Sequence, residues 1–262
     1  MDVTILQLLL SIISGLIVGF ILGLIGGGGS IMAIPLLLYF VGISDVHYAI
    51  GTTALAVGIT AYINAISHYR RSKVDIRTGL IFSVIGVVGV LIGSSIGLLT
   101  GSNSLLVLFS ILMMAIGIFM YAGKGRYKSG TRKEEQSGKY TKTKKGKLSL
   151  FSVLTGFSSG FFGIGGGFLI VPALIYSTGM EIDQAVGTSL LVVGTFGILT
   201  AIRYGFSGSL LYSVSLFYIL GGVIGGIIGA RVSVGMPKDT LRKVFSVIVV
   251  VVGIYVLLRT IL

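Results

Sequence analysis

Gly23-Leu24-Ile25-Gly26-Gly27-Gly28-Gly29-Ser30-Ile31-Met32-Ala33-Ile34-Pro35 returns 137 positions later as Gly160-Phe161-Phe162-Gly163-Ile164-Gly165-Gly166-Gly167-Phe168-Leu169-Ile170-Val171-Pro172. Gly23, Gly26, Gly28, Gly29 and Pro35 pair with Gly160, Gly163, Gly165, Gly166 and Pro172. Both copies sit inside strongly apolar sequence. A helix cannot run undisturbed through such glycine runs, because each glycine carries the largest backbone entropy cost of any residue. Paired interruptions of hydrophobic segments in the two halves of a chain are the best pointer in a sequence to a transporter's substrate site.

Working outward, the 262 residues are 54% hydrophobic and only 11% charged, with apolar runs long enough to cross a bilayer. That composition reads as an integral membrane protein. The net charge of +12 does not indicate nucleic acid, because ten of the twenty Lys and Arg lie between Lys124 and Lys147 in one polar loop. A nucleic-acid binder presents its basic residues on a folded soluble surface, and no segment here is long enough to build one. There is no cysteine, which excludes disulfides, thiolate catalysis and Cys-ligated metals. The start, Met1-Asp2-Val3-Thr4, is acidic, so the first apolar stretch reads as a retained membrane segment and not a signal peptide.

Six stretches, roughly 46–68, 76–99, 103–122, 183–203, 209–230 and 239–260, are each long enough to span the ~30 Å hydrocarbon core. Two more, roughly 5–41 and 148–179, carry the glycine breaks. In the second, the arms on either side reach only about 24 and 18 Å as helices, so a discontinuous helix or a re-entrant hairpin is expected. After Gly42 and Gly179 the repeat offset becomes 136: Ala49, Gly51, Thr52 and Thr53 pair with Ala185, Gly187, Thr188 and Ser189. Gly86, Gly89 and Gly93 pair with Gly222, Gly225 and Gly229. The expected fold is all-α and membrane-integral, with about eight membrane segments in two homologous repeats. Residues 1–122 and 148–262 form the repeats, and 123–147 is a basic loop between them.

Basic residues orient the chain. With 123–147 cytoplasmic, re-entrant breaks put eighteen Lys and Arg inside and leave Arg203 and Arg259 outside; fully spanning breaks give sixteen to four. The positive-inside bias therefore favours inverted repeats, in a multi-pass protein of the cell membrane. The loop itself is also a candidate contact for anionic lipid headgroups.

The residue types that could carry chemistry are few. At the breaks, Gly28, Gly29, Ser30, Gly165, Gly166 and Gly167 can free backbone N–H groups and place helix N-termini toward an anion. Close helix packing is the competing explanation for the glycines. Thr52, Thr53, Thr188 and Ser189 offer hydroxyls to the same anion, against the ordinary fate of bonding a carbonyl one turn back. His68, Asn64 and Arg203, near helix ends, could attract an anion or sense protons, against interfacial anchoring or interhelical bonding. The stripes Gly86-Gly89-Gly93-Gly97 and Gly222-Gly225-Gly229 fit close helix contact, between repeats or between two copies in a homodimer. No Asp or Glu lies mid-span, which disfavours a metal cage or a central carboxylate relay. No catalytic residues, metal site or cofactor are assigned.

The paired Gly-x-Gly-Gly…Pro breaks, the Gly-Thr-Thr and Gly-Thr-Ser motifs and the basic central loop resemble the sulfite exporter TauE/SafE family, also called the 4-toluene sulfonate uptake permease family. The resemblance covers nearly all of the chain outside 123–147. Ser30 stands where the second copy has Gly167, and Ser72 where it has Gly208. The resemblance implies membrane transport of a sulfur-containing anion: sulfite, a sulfonate, sulfoacetate or thiosulfate. It leaves the substrate, direction and coupling ion open. A passive anion channel is the alternative of another class, and an intramembrane enzyme a weaker one.

Overall fold

The computed structural model describes residues 3–69, 74–122, 142–165, 167–232 and 238–261. Those residues are helical throughout, apart from short turns. The helices are α1 (Ile5–Ile25), α2 (Ala33–Pro35), α3 (Val46–Tyr69), α4 (Ile76–Leu99), α5 (Ser102–Ala122), α6 (Lys142–Phe162), α7 (Gly167–Thr178), α8 (Ile182–Phe206), α9 (Tyr212–Val232) and α10 (Lys238–Ile261). A 3-10 stretch, Gly26–Met32, precedes α2, and a π-helical turn, Leu36–Phe40, follows it. Their outward side chains are apolar: Leu80, Val84, Val88, Leu220, Ile224, Val251 and Leu258 are all exposed. Such an exterior is stable only where hydrocarbon, not water, surrounds it.

α1, α3, α4, α5, α8 and α9 are each long and apolar enough to cross a membrane. The chain is thus an all-α, multi-pass membrane protein. α1 reaches spanning length by itself. One boundary departs from the sequence reading. α6 begins at Lys142, inside the stretch assigned to the 123–147 loop. Hydropathy marks where a helix enters hydrocarbon, whereas lysine sustains a helix in water perfectly well. Residues 123–141 lie outside the described residues.

Glycine decides which helices meet. α1 packs on α9 and α6 on α4. A Cβ at Gly225 would lie 2.1 Å from the Leu16 carbonyl oxygen, and one at Gly89 would lie 2.1 Å from that of Val153. A Cβ at Gly229 would meet the Phe20 carbonyl, and one at Gly93 that of Phe157, again at 2.1 Å. These are equivalent positions of the two copies making equivalent contacts. The glycine stripes are therefore internal: each receives the first helix of the other half. Small residues let backbones approach this closely, which is where packing attraction between helices in lipid comes from.

α3 and α8 run antiparallel. The start of α3, at Gly51, lies against Tyr204 near the end of α8, and Tyr62 near the end of α3 lies against Gly194. α5 and α10 are antiparallel too, with Gly117 beside Ser246 and Val250, and Gly253 beside Ser110 and Met113. The first broken segment folds back on itself. Gly29 is pressed against Leu22 of α1, and Gln7 Nε2 donates to the Gly42 carbonyl at 3.3 Å. Its entry and exit are therefore side by side.

Candidate functional site

The two glycine runs singled out in the sequence both interrupt helical backbone. At Gly26, φ is +77°, and at its partner Gly163 it is +66°. A positive φ of this kind costs other L-residues on the order of 1–3 kcal/mol, and Gly26, with ψ −147°, lies in a region that is essentially glycine's alone. α1 thus ends at Gly26 and α6 just before Gly163, and new helical turns start beyond. The first turn of any helix leaves N–H groups without intrahelical acceptors and carries the positive end of the dipole. The 3-10 stretch Gly26–Met32 and α7 pack against each other.

Each break is buttressed by the opposite half. A Cβ at Gly26 would fall 2.8 Å from Val186 Cγ1 and 3.1 Å from Ser189 Oγ, both on α8. A Cβ at Gly163 would fall 2.2 Å from Ile50 Cγ2 on α3, and Ile50 is the sequence equivalent of Val186. The Gly27 N–H donates to Ser189 Oγ at 3.3 Å, and Ser189 Oγ itself donates to the Val186 carbonyl at 2.7 Å. Ser30 is fully buried and donates to the Gly27 carbonyl at 2.8 Å, closing the first turn after the break. Gly165, with φ +65°, lies against Val193 of α8.

The other residues singled out in the sequence take several positions. Gly28 and Gly29 lie in the 3-10 stretch, and Gly167 opens α7. Gly166 and the His68 side chain lie outside the described residues. Thr53 is fully buried and donates back to the Ala49 carbonyl at 2.7 Å. Thr52 Oγ1 accepts from the Leu211 N–H at 3.0 Å, and Thr188 Oγ1 accepts from the Asp75 N–H at 2.9 Å. Leu211 and Asp75 are themselves equivalent, each just before the helix that follows α8 or α3. These two threonines therefore tie each half to the other. Sequence reasoning missed this use, because nothing near Thr52 names a partner 159 residues away.

Arg203 reaches across to α4, where its Nη2 donates to Ser95 Oγ at 2.8 Å. It does not meet the glycine breaks. Asn64 is fully buried on α3 against Gly226 of α9, and neither atom of its carboxamide has a hydrogen-bond partner among the described residues. Among those residues, no three His, Cys, Asp or Glu cluster as metal ligands would.

The sulfite exporter TauE/SafE family model matches residues 11–256. The chain belongs to this family. A TauE/SafE relative from Xylella fastidiosa, named "Probable membrane transporter protein", is 44% identical over 98% of this chain and 97% of its own length. "Probable membrane transporter protein YunE" of Bacillus subtilis is 28% identical over 92% of this chain and 94% of its own. "Probable membrane transporter protein MJ0441" of Methanocaldococcus jannaschii is 28% identical over 97% and 96%. No solved structure matches the chain. The two breaks and the Gly-Thr-Thr and Gly-Thr-Ser motifs all fall inside the span matched to the TauE/SafE family.

Proposed function

We propose that this protein is a secondary transporter of a small sulfur-containing anion of the sulfite, sulfonate, sulfoacetate or thiosulfate class. The anion binds between the two breaks and moves by alternating access. The observation that carries this reading is the contact between the two segments that follow the breaks, the 3-10 stretch Gly26–Met32 and α7, each entered through a glycine of positive φ within a membrane-embedded bundle. Backbone N–H groups of Gly28–Ser30 and Gly165–Gly167 supply donors, while Thr52, Thr188 and Ser189 brace the halves around the breaks and Thr53 bonds its own helix. Unpaired backbone at membrane depth is tolerated where it lines such a cavity. The family membership and the relatives' names support transport over enzymatic chemistry.

Antiparallel α3/α8 and α5/α10 support inverted repeats, because only a two-fold axis across the helices makes equivalent helices antiparallel. The hairpin joined at Gln7 and Gly42 supports re-entrant breaks. On this reading loop 123–147 faces the cytoplasm of a cell-membrane protein, where its lysines and arginines gain about 1 kcal/mol each from anionic lipid. Rocking one half against the other would exchange access.

The test is thermal stabilisation of the detergent-purified protein by sulfite, thiosulfate, sulfoacetate, sulfate, phosphate and chloride at matched ionic strength, followed by flux into proteoliposomes. A ligand at 100 times its Kd stabilises by about 2.7 kcal/mol. Selective stabilisation and saturable flux with one sulfur anion is the expected result. Flux that grows linearly with concentration for every anion would overturn the reading in favour of a channel.

A further inference from the structure

Eight buried side-chain N or O atoms have no hydrogen-bond partner among the described residues, and five of them line one seam. They are Ser14 Oγ on α1, Thr60 Oγ1, Asn64 Nδ2 and Asn64 Oδ1 on α3, and Tyr218 Oη on α9. All four residues are at most 2% exposed. Val18, Leu22, Val57, Thr60, Tyr218 and Gly222 line a narrow crevice there. Asn64 sits one helical turn beyond Thr60, against Gly226. Orphaned polar groups are rare in native structures, and several together call for an explanation.

The repeat sharpens the anomaly. At the equivalent positions of the α4/α6/α8 seam stand Phe151 for Ser14, Phe196 for Thr60 and Phe82 for Tyr218. Phe82 and Phe196 are fully buried. Thr200, the equivalent of Asn64, is satisfied by its own helix through the Phe196 carbonyl at 2.8 Å. The α4/α6/α8 seam has orphaned atoms of its own, Ser159 Oγ, Arg203 Nε and Tyr204 Oη, but at the positions matching Ser14, Thr60 and Tyr218 it carries phenylalanine, although the glycine contacts framing the two seams are the same. Helix packing alone does not require that difference.

We propose that the α1/α3/α9 seam is a one-sided passage for water and the transported anion, closed in this conformation and opening as α3 separates from α1 and α9. Its groups are neutral donors and acceptors. They replace part of an anion's hydration without trapping it, which is what a transit path needs. Hydration of the open seam satisfies the five orphaned atoms. Asn64 and the half of α3 leading to Tyr69 lie on the side of loop 123–147, so the passage serves that face. The proposal deepens the transporter reading and takes its orientation from it.

The chain has no cysteine, so single cysteines can be read directly. Thr60→Cys, Asn64→Cys, Phe82→Cys and Phe196→Cys variants of the full chain are treated with small impermeant thiosulfonates, one anionic and one cationic, in membrane vesicles of both orientations. Cysteines at 60 and 64 should react about tenfold or more faster than those at 82 and 196, as expected when only one seam samples an open state. The faster reaction should come from the loop 123–147 face, with the anionic reagent at least as fast as the cationic. Adding Asn64→Leu should raise the melting temperature yet slow labelling at 60, which a purely structural asparagine would not do. Equal, slow labelling at all four positions from both faces overturns the proposal, as does equal, fast labelling. Labelling at 60 and 64 from the opposite face keeps the passage and overturns the orientation. None of these outcomes depends on which anion is carried, so the passage and the substrate class stand or fall separately.

Discussion

Replacing Thr52 with valine isolates the bond between the halves. Valine keeps the shape of threonine and removes the oxygen. Thr52 is fully buried, and the Leu211 N–H that donates to it at 3.0 Å belongs to a residue only 9% exposed. No water replaces the lost acceptor, so the cost is that of an orphaned buried donor, about 1–3 kcal/mol. Thr188→Val removes the equivalent acceptor, but its donor belongs to half-buried Asp75, which water reaches. That loss should fall nearer a net hydrogen bond, about 0.5–1.5 kcal/mol. In a thermal melt of the purified protein, each kcal/mol lowers Tm by about 2–4 °C at this chain length. Thr52→Ser keeps the oxygen and forfeits a methyl, about 0.8 kcal/mol. The expected order of Tm is parent, then Thr188→Val, then Thr52→Val. A Thr52→Val protein as stable as the parent, or a larger loss at Thr188, would refute the assignment.

Three further outcomes follow from the same contacts. Gly89→Ala drives a methyl to 2.1 Å from the Val153 carbonyl and should cost about 1–3 kcal/mol by overpacking, whereas exposed Gly146→Ala, with open space around it, should gain up to about 1 kcal/mol of helix propensity. Parallel melts read both, and loss of the sign difference would count against α4/α6 contact. Gly163→Ala combines a left-handed φ with a clash 2.2 Å from Ile50 Cγ2 and should cost about 2–4 kcal/mol, while Gly179→Ala, at φ +77° with nothing nearby, should cost only the backbone share of about 1–2 kcal/mol. Ser189→Ala unties Gly27 and should cost about 0.5–1.5 kcal/mol, more than Thr53→Ala, whose hydroxyl bonds only carbonyls of its own helix; equal melts would deny the tie.

The spans were legible because hydropathy is a property of a segment's own residues, and lipid selects on it directly. The repeat was legible from offsets of 137 and 136, and the breaks from glycine, whose left-handed φ at 26 and 163 no bulky residue shares. Which helix meets which was not legible. In hydrocarbon, an apolar face gains no hydrophobic energy by choosing protein over lipid, so pattern does not reveal a partner. The glycine stripes announced a close contact and left open whether it lay within one chain or between two. Only the tertiary structure showed that α1 fills the stripe on α9 and α6 the stripe on α4.

The same holds for single polar atoms. The sequence by itself determined a membrane-embedded helical chain of two related halves, each interrupted at a glycine run. Tertiary packing decided that Thr52 and Thr188 hold the halves together, that Arg203 turns to Ser95, and that the side-chain polar atoms of Asn64 and Tyr218 are buried without hydrogen-bond partners among the described residues, where the other half carries a satisfied Thr200 and a Phe82. A hydroxyl or amide looks alike in sequence whether it is satisfied or orphaned. Its neighbours lie a hundred or more residues away, and only the folded distances settle which it is.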